Sequence, residues 1–261
     1  MFFNSSLAKQ QLSDNEIHLW SIDPQQITGQ QKLDSLKTLL SKTELEKVHR
    51  YRLAKAQHDA LITRAFVRTV LALYTDLNAQ DLIFTITEHG KPELCNSSLP
   101  IRFNLSHNND LIICAVCLNH DIGCDVESLS RKISVNSIAK RYFSANEFQS
   151  LQVLPFTAQK ARFFEYWTLK EAFVKATGLG ISQGLDTFAF QIETTEQAAF
   201  NDNITLTFSE NSALQNNLDW YSCLNYLDQT HCIAICVKNK KSNKTFNIKY
   251  FQGNDYLSTG K

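Results

Sequence analysis

The chain carries no excess of either charge: Lys+Arg and Asp+Glu both number 26 in 261 residues. A general nucleic-acid binder shows a basic surplus, so that class is excluded for the protein as a whole, although a locally basic pocket is not. No apolar run reaches the ~18 residues of a membrane-crossing helix, and none is expected. The start, Met1-Phe2-Phe3-Asn4-Ser5-Ser6, has no charged stretch leading into a long apolar one and does not read as a signal peptide. Proline and glycine are scarce, 4 and 8 residues, and no long linker rich in either divides the chain. These absences describe a cytoplasmic protein with no membrane and no nucleic-acid partner, whose parts pack closely.

Cysteine is present but forms no metal pattern. The seven are an odd set, and Cys114-x-x-Cys117 lies inside the apolar stretch Leu111 to Leu118 with no second pair to complete a zinc site. Small buried hydrophobes in a reducing compartment account for them. The hydrophobic fraction of 43% and the charged fraction of 20% are those of a globular chain. The length allows one large domain or two of roughly 100–150 residues.

Patterning predicts strands at Ile17–Ile22, Leu82–Ile86, Phe103–Ser106, Leu111–Leu118, Ile122–Glu127, Phe188–Ile192, Ile204–Phe208, Asp219–Leu227 and Cys232–Val237. It predicts helices at Thr43–Arg52, Gln57–Leu73, Val135–Tyr142, Ala145–Leu151 and Gln159–Thr177, the last closed by Gly178 and Gly180. The strands at Leu111–Leu118 and Ile122–Glu127 are expected to form a hairpin around Asn119-His120-Asp121. Lys238–Lys244 is basic and polar, a solvated loop, and the tail after Tyr250 has little pattern. A short echo suggests duplication. Arg50-Tyr51 precedes a helix containing Ala65-Phe66-Val67-Arg68, and Arg141-Tyr142 precedes one containing Ala172-Phe173-Val174-Lys175.

The chemistry concentrates in two segments about forty residues apart. In Gly123-Cys124-Asp125-Val126-Glu127, strand alternation puts both carboxylates on one face and Val126 on the other. Two hard oxygen donors on one strand suit Mg²⁺; the alternative is a strand end with two solvated acids. In Trp167-Thr168-Leu169-Lys170-Glu171-Ala172-Phe173-Val174-Lys175, helical spacing of four aligns Trp167, Glu171 and Lys175 along one side. Glu171 and Lys175 also make an ordinary exposed pair worth only ~0.3–0.5 kcal/mol. A tryptophan one turn earlier suits a solvated face poorly. Upstream, Ser106-His107 ends a strand in polar groups that could bond a phosphate or simply cap the strand. A serine hydrolase is excluded by the absence of Gly-x-Ser-x-Gly around Ser106. Gly90-Lys91-Pro92 presents a lysine on a turn, and Arg64 and Arg68 share a helix face; each cation could meet a phosphate or water.

Taken together, these segments resemble the Sfp-type 4′-phosphopantetheinyl transferase family over about Arg50 to Ile181. The family pattern is Gly-hydrophobic-Asp-hydrophobic-Glu followed by Trp-x-x-Lys-Glu-x-x-x-Lys, with the Gly90-Lys91-Pro92 turn and Phe103-Asn104-Leu105-Ser106-His107 in their usual order. The resemblance implies an α+β fold of two similar subdomains related by a pseudo-twofold, here 1–119 and 120–261, with the second bearing the metal site. It implies transfer of 4′-phosphopantetheine from coenzyme A to a serine of an apo acyl, peptidyl or polyketide carrier protein, with release of 3′,5′-ADP. Asp125, Glu127 and Glu171 would then hold Mg²⁺. Lys175 would stabilise the leaving phosphate, and Lys91, Ser106, His107 and Arg64 would bind the nucleotide end. Glu171 is the expected general base, with Glu127 or a metal-bound water as alternatives. Such enzymes act as monomers. A non-catalytic coenzyme A or carrier-binding module, and a metal-dependent phosphohydrolase, are the competing classes.

Overall fold

A computed structural model describes residues 9–193, 199–210, 212, 214, 220–239, 245–254 and 257, with Ile181 by its backbone alone. Asp219 and residues 240–244, assigned above to a strand start and a basic loop, lie outside them.

The first half runs β1 (Glu16–Ile22), α1 (Gln30–Lys37), α2 (Lys42–His49), α3 (Ala54–Ala72), the hairpin β2 (Phe84–Ile86) and β3 (Pro92–Leu94), then β4 (Ile101–His107) and β5 (Ile112–Leu118). The second runs β6 (Ile122–Ser128), α4 (Val135–Tyr142), α5 (Ala145–Gln152), α6 (Phe156–Thr177), the hairpin β7 (Phe188–Ile192) and β8 (Ile204–Phe208), then β9 (Trp220–Leu227) and β10 (His231–Lys238). The order repeats, and so does the pairing. In the first sheet β1 pairs antiparallel with β5 and β5 with β4; in the second, β6 pairs antiparallel with β10 and β10 with β9. The fold is α+β with two domains of like topology.

Alternation along the strands builds four layers. Trp20, Ile22, Cys114, Val116 and Phe103 pack against α3 on one face of the first sheet. Ile17, Leu19, Ile113 and Ala115 on its other face share a core with Cys124, Val126, Ile233 and Ile235 of the second sheet. The far face of that sheet packs on α6 through Cys232, Ala234 and Cys236. Each fully buried Phe or Leu side chain contributes roughly 1.5–3 kcal/mol. Six of the seven cysteines lie in these cores as free thiols, Cys117 pushed up to about 12 by burial. No helix among the described residues is long and apolar enough to cross a membrane.

The duplication reaches individual side chains. Ser41 and Glu44 form a capping box that starts α2, and Ser144 and Glu147 form one that starts α5. Each glutamate then pairs with a cation of the next long helix: Arg68 of α3 stands 2.7 Å from Glu44, and Lys170 of α6 stands 2.8 Å from Glu147. Each cation also donates to two carbonyls of the turn entering the following hairpin. Arg68 bonds Ala79 and Leu82 at 2.8 and 3.0 Å, and Lys170 bonds Leu185 and Phe188 at 2.7 Å each. Each lies over the first ring of that hairpin, Phe84 or Phe188. Arg68 therefore corresponds to Lys170, five residues before the Lys175 that the sequence echo matched to it. It is structural and not available to a phosphate.

Two expectations change. β5 and β6 form no hairpin: they belong to different sheets, and Asn119, at φ 63°, turns the chain from one sheet to the other. The tail has structure that its pattern did not predict. β11 (Asn247–Gln252) pairs in parallel with β1, and Phe251 stacks on Trp20 at 4.5 Å. A parallel partner this remote leaves no local hairpin signal. The segment that follows residue 119 thus ends by rejoining the first sheet. Helix α1 and strand β3 also had no predicted counterpart.

Candidate active site

The site begins with a glycine. A Cβ on Gly123 would lie 2.0 Å from the Ala172 carbonyl oxygen and 2.4 Å from the Ala176 nitrogen, so only glycine lets β6 rest directly on α6. Beyond it Asp125 and Glu127 point to the helix side, while Val126 enters the core between the sheets. The helix answers with Trp167, Glu171 and Lys175 along one stripe. Its end is set by Gly178, left-handed at φ 70°, whose N–H donates to the Val174 carbonyl.

β6 meets the first domain edge to edge at β4, through side chains and not through a strand ladder. Asn104 Oδ1 accepts from the Cys124 N–H at 2.9 Å, and Ser106 Oγ accepts from the Val126 N–H at 3.4 Å. The Ser106 hydroxyl donates to Asp125 Oδ1 at 2.7 Å and accepts from Lys175 Nζ at 2.9 Å. Lys175 Nζ also donates to Asp125 Oδ1 at 2.6 Å. One donor and two acceptor positions are all a hydroxyl has. Ser106, expected on a phosphate, is therefore saturated by the groups it holds in place.

The acids sit in unequal surroundings. Asp125 is 5% exposed, and its second oxygen, Oδ2, is a buried acceptor with no partner among the described residues. Glu127 accepts from Arg131 at 2.9 and 3.0 Å and from the Trp167 indole N–H at 3.1 Å. Glu171 accepts no hydrogen bond from the described residues. Burial first, and then the charge of Asp125, raise both glutamates above the usual carboxylate range. Burial pulls Lys175 down, but the attraction and hydrogen bond of Asp125 prevail and its pKa stands raised. Among the described residues no three acids, histidines or cysteines converge into a ready metal cage. The donors nonetheless fit a hard cation in kind: an orphaned buried carboxylate oxygen beside two carboxylates whose charge the site disfavours.

The first domain supplies further polar groups. His107, at the end of β4, is held below its ordinary pKa by desolvation and by Lys175, with Arg64 of α3 adding to the effect. Arg64 donates to the Ala60 carbonyl at 3.0 Å. Lys91 is placed otherwise than expected: its ammonium bonds the carbonyls of Ile122 and Lys175, each at 2.9 Å. Two participants received no role from the sequence. Asn104 shares a strand face with Ser106, and that alternation was the available signal. Arg131 reaches Glu127 from a loop, where spacing predicts nothing.

Comparison with known proteins gives the family. The family described as "4'-phosphopantetheinyl transferase superfamily" matches residues 121–236, and "4'-phosphopantetheinyl transferase, N-terminal" matches residues 27–119. The chain is 33% identical to 4'-phosphopantetheinyl transferase HetI of Nostoc sp. over 225 residues, 85% of this chain and 87% of that protein. It is 33% identical to 4'-phosphopantetheinyl transferase Sfp of Bacillus subtilis over 165 residues, 63% of this chain and 71% of that one. Among solved structures, the holo-[acyl-carrier-protein] synthase of Thermotoga maritima matches 46% of this chain and 64% of its own at 18% identity and a TM-score of 0.35. With both domain families matched in order and a relative this similar over most of its length, the chain belongs to the 4′-phosphopantetheinyl transferases of the two-domain Sfp type, enzymes that modify carrier proteins.

Proposed function

We propose that the protein attaches the phosphopantetheine of coenzyme A to a serine of an apo acyl, peptidyl or polyketide carrier, releasing 3′,5′-ADP in a Mg²⁺-dependent reaction. The serine oxygen forms a bond to the phosphorus bearing the pantetheine, the pyrophosphate P–O bond breaks, and the serine proton passes to a base. The observation that carries this reading is the Lys175–Asp125 pair, with Asp125 Oδ2 buried and unpartnered beside it.

Asp125, Glu127 and Glu171 would hold the Mg²⁺, which supplies positive charge against the pyrophosphate when bound. Lys175 meets the charge that develops on the departing phosphate. His107 and Arg64 approach from the first domain and bind the phosphates of the nucleotide end. Ser106 keeps Asp125 and Lys175 oriented. Glu171 takes the serine proton: among the described residues its carboxylate accepts no hydrogen bond, and burial raises its affinity for a proton. Glu127, tied to Arg131 and Trp167, is less free to do so. Because one chain supplies both domains, we propose that it works as a monomer.

The test is intact-mass spectrometry of an apo acyl carrier protein incubated with this protein, coenzyme A and Mg²⁺. The expected result is a gain of one phosphopantetheine on the carrier serine, abolished by chelation, from an enzyme of 29.8 kDa in a native-mass measurement. Intact carrier and intact coenzyme A would indicate a binding module. Cleaved coenzyme A without carrier modification would indicate a phosphohydrolase.

A further inference from the structure

We infer that Lys91 is a positioning residue for transfer rather than a phosphate ligand, tying together the two segments that present Asp125 and Lys175. The inference rests on the transferase reading above and adds to it how the first domain sets the geometry of the second.

Lys91 stands on the β2–β3 turn. Gly90 provides a positive φ of 85°, the Thr87 N–H donates to the Lys91 carbonyl at 2.9 Å, and the Lys91 N–H donates to Thr87 Oγ1 at 3.1 Å. From this fixed base the side chain crosses to the second domain. Its ammonium donates to the carbonyl of Ile122, the first residue of β6, and to the carbonyl of Lys175 in the last turn of α6. Carbonyls in that turn have no partner within the helix, and a cation there also complements the helix dipole. Three residues along β6 from Ile122 stands Asp125; the other carbonyl belongs to Lys175 itself. One ammonium therefore fixes the backbone of Lys175 and the start of the strand that carries its partner Asp125, the two paired at 2.6 Å.

This post is not easily left. Burial is the main cause that lowers the Lys91 pKa, with Arg102 next, so the charge needs its two oxygens. Two of its three N–H groups are engaged on these carbonyls, and turning them to a phosphate would leave each carbonyl without its donor. Displacing a reacting pair by a fraction of an ångström is enough to slow a group transfer.

The test compares the unaltered enzyme with Lys91→Met, which keeps the apolar stem and removes the donors, and with Lys91→Arg, which restores a cation. Initial rates of carrier modification are measured with coenzyme A and with 3′-dephospho-coenzyme A. The expected result is a kcat lower by on the order of tenfold in Lys91→Met, equal for both donors, with KM for either donor changed less than about twofold and substantial recovery in Lys91→Arg. A rise in KM at constant kcat, or a defect confined to the 3′-phosphorylated donor, would make Lys91 a phosphate ligand and overturn the inference; unchanged kinetics would overturn it too. Amide hydrogen exchange at Gly178 and Leu179 gives a readout independent of turnover. It should quicken in Lys91→Met, and unchanged exchange would count against the tether. If Lys91→Met does not fold, Lys91→Gln is read in the same way. Absence of transfer by the unaltered protein would strike the transferase reading, while the exchange measurement would still decide the tether.

Discussion

The two domains use the same sheet and the same long helix but finish their first strand differently. On the helix side of β1 stand His18, Trp20 and Ile22, all buried, and its outer edge is closed by a main-chain ladder to β11. On the helix side of β6 stand Gly123, Asp125 and Glu127, and its outer edge meets β4 through Asn104 and Ser106. A strand whose edge is satisfied by backbone can carry bulky apolar side chains inward. A strand whose edge is satisfied by a serine and an asparagine brings polar groups to its own acids, and it lies against its helix because Gly123 has no Cβ. The difference between two copies of one topology thus goes with what covers one strand edge.

The largest effect expected from this contrast is on transfer. Asp125→Asn or Lys175→Met should lower the rate of carrier modification roughly a thousandfold, because Lys175 is the cation proposed to meet the departing phosphate and Asp125 the carboxylate that holds it and the proposed Mg²⁺. Trp20→Phe, on the corresponding face of β1, should lower stability yet leave kcat within about twofold of the unaltered enzyme once folded protein is counted. Initial rates followed by intact mass decide this. A thousandfold loss from Trp20→Phe would mean that the two faces are not as distinct as their side chains imply.

The repeated anchors sharpen the comparison from the side of stability. Lys170 and Glu147 are 0% and 1% exposed, whereas Glu44, the partner of Arg68, is 21% exposed. Lys170→Met would strand a fully buried carboxylate and should cost about 3–5 kcal/mol. Arg68→Met leaves Glu44 some access to water and should cost about 1–3 kcal/mol. Urea midpoints of the two variants measure the difference. Equal losses would show that the anchors do not differ in the way their burial requires.

Much of the site was legible because its spacings are local. Alternation over Gly123–Glu127 and a four-residue period over Trp167–Lys175 are properties of one strand and one helix, and both hold. Asn104, Arg131 and the tether of Lys91 depend on which edges the domains bring together, which no periodicity encodes. The helix pattern set Lys175 on the stripe with Trp167 and Glu171 and left Lys170 off it, but it could not say what Lys170 meets. The two lysines lie five residues apart on α6, and Lys170 is buried against Glu147 while Lys175 pairs with Asp125. β11 was missed for the same reason, since its partner β1 lies at the other end of the chain.

The smallest effect concerns pH, where the two faces should give slopes of opposite sign. Burial and Asp125 raise Glu171 above its unfolded value of 4.5. Below that value the folded and unfolded states are both protonated and the group's stabilising contribution is complete. As pH rises through the raised folded value the contribution is lost, because the folded site resists another negative charge. Glu171→Gln should therefore raise the melting temperature at pH 8 by a few degrees, roughly 2–4 °C per kcal/mol for a chain of this size. The gain should shrink towards zero near pH 4.5. On β1, burial lowers His18 from 6.5 to about 4, so the unfolded chain takes up its proton first and stability is lost as pH falls from 6.5 towards 4. Melting curves of the unaltered protein, Glu171→Gln and His18→Phe across pH 4–8, recorded without metal, separate the two contributions. A Glu171→Gln gain that grew on acidification would contradict the strain assigned to the acids of β6 and α6. A gain that vanished on adding Mg²⁺ would identify the same carboxylates as those the cation relieves.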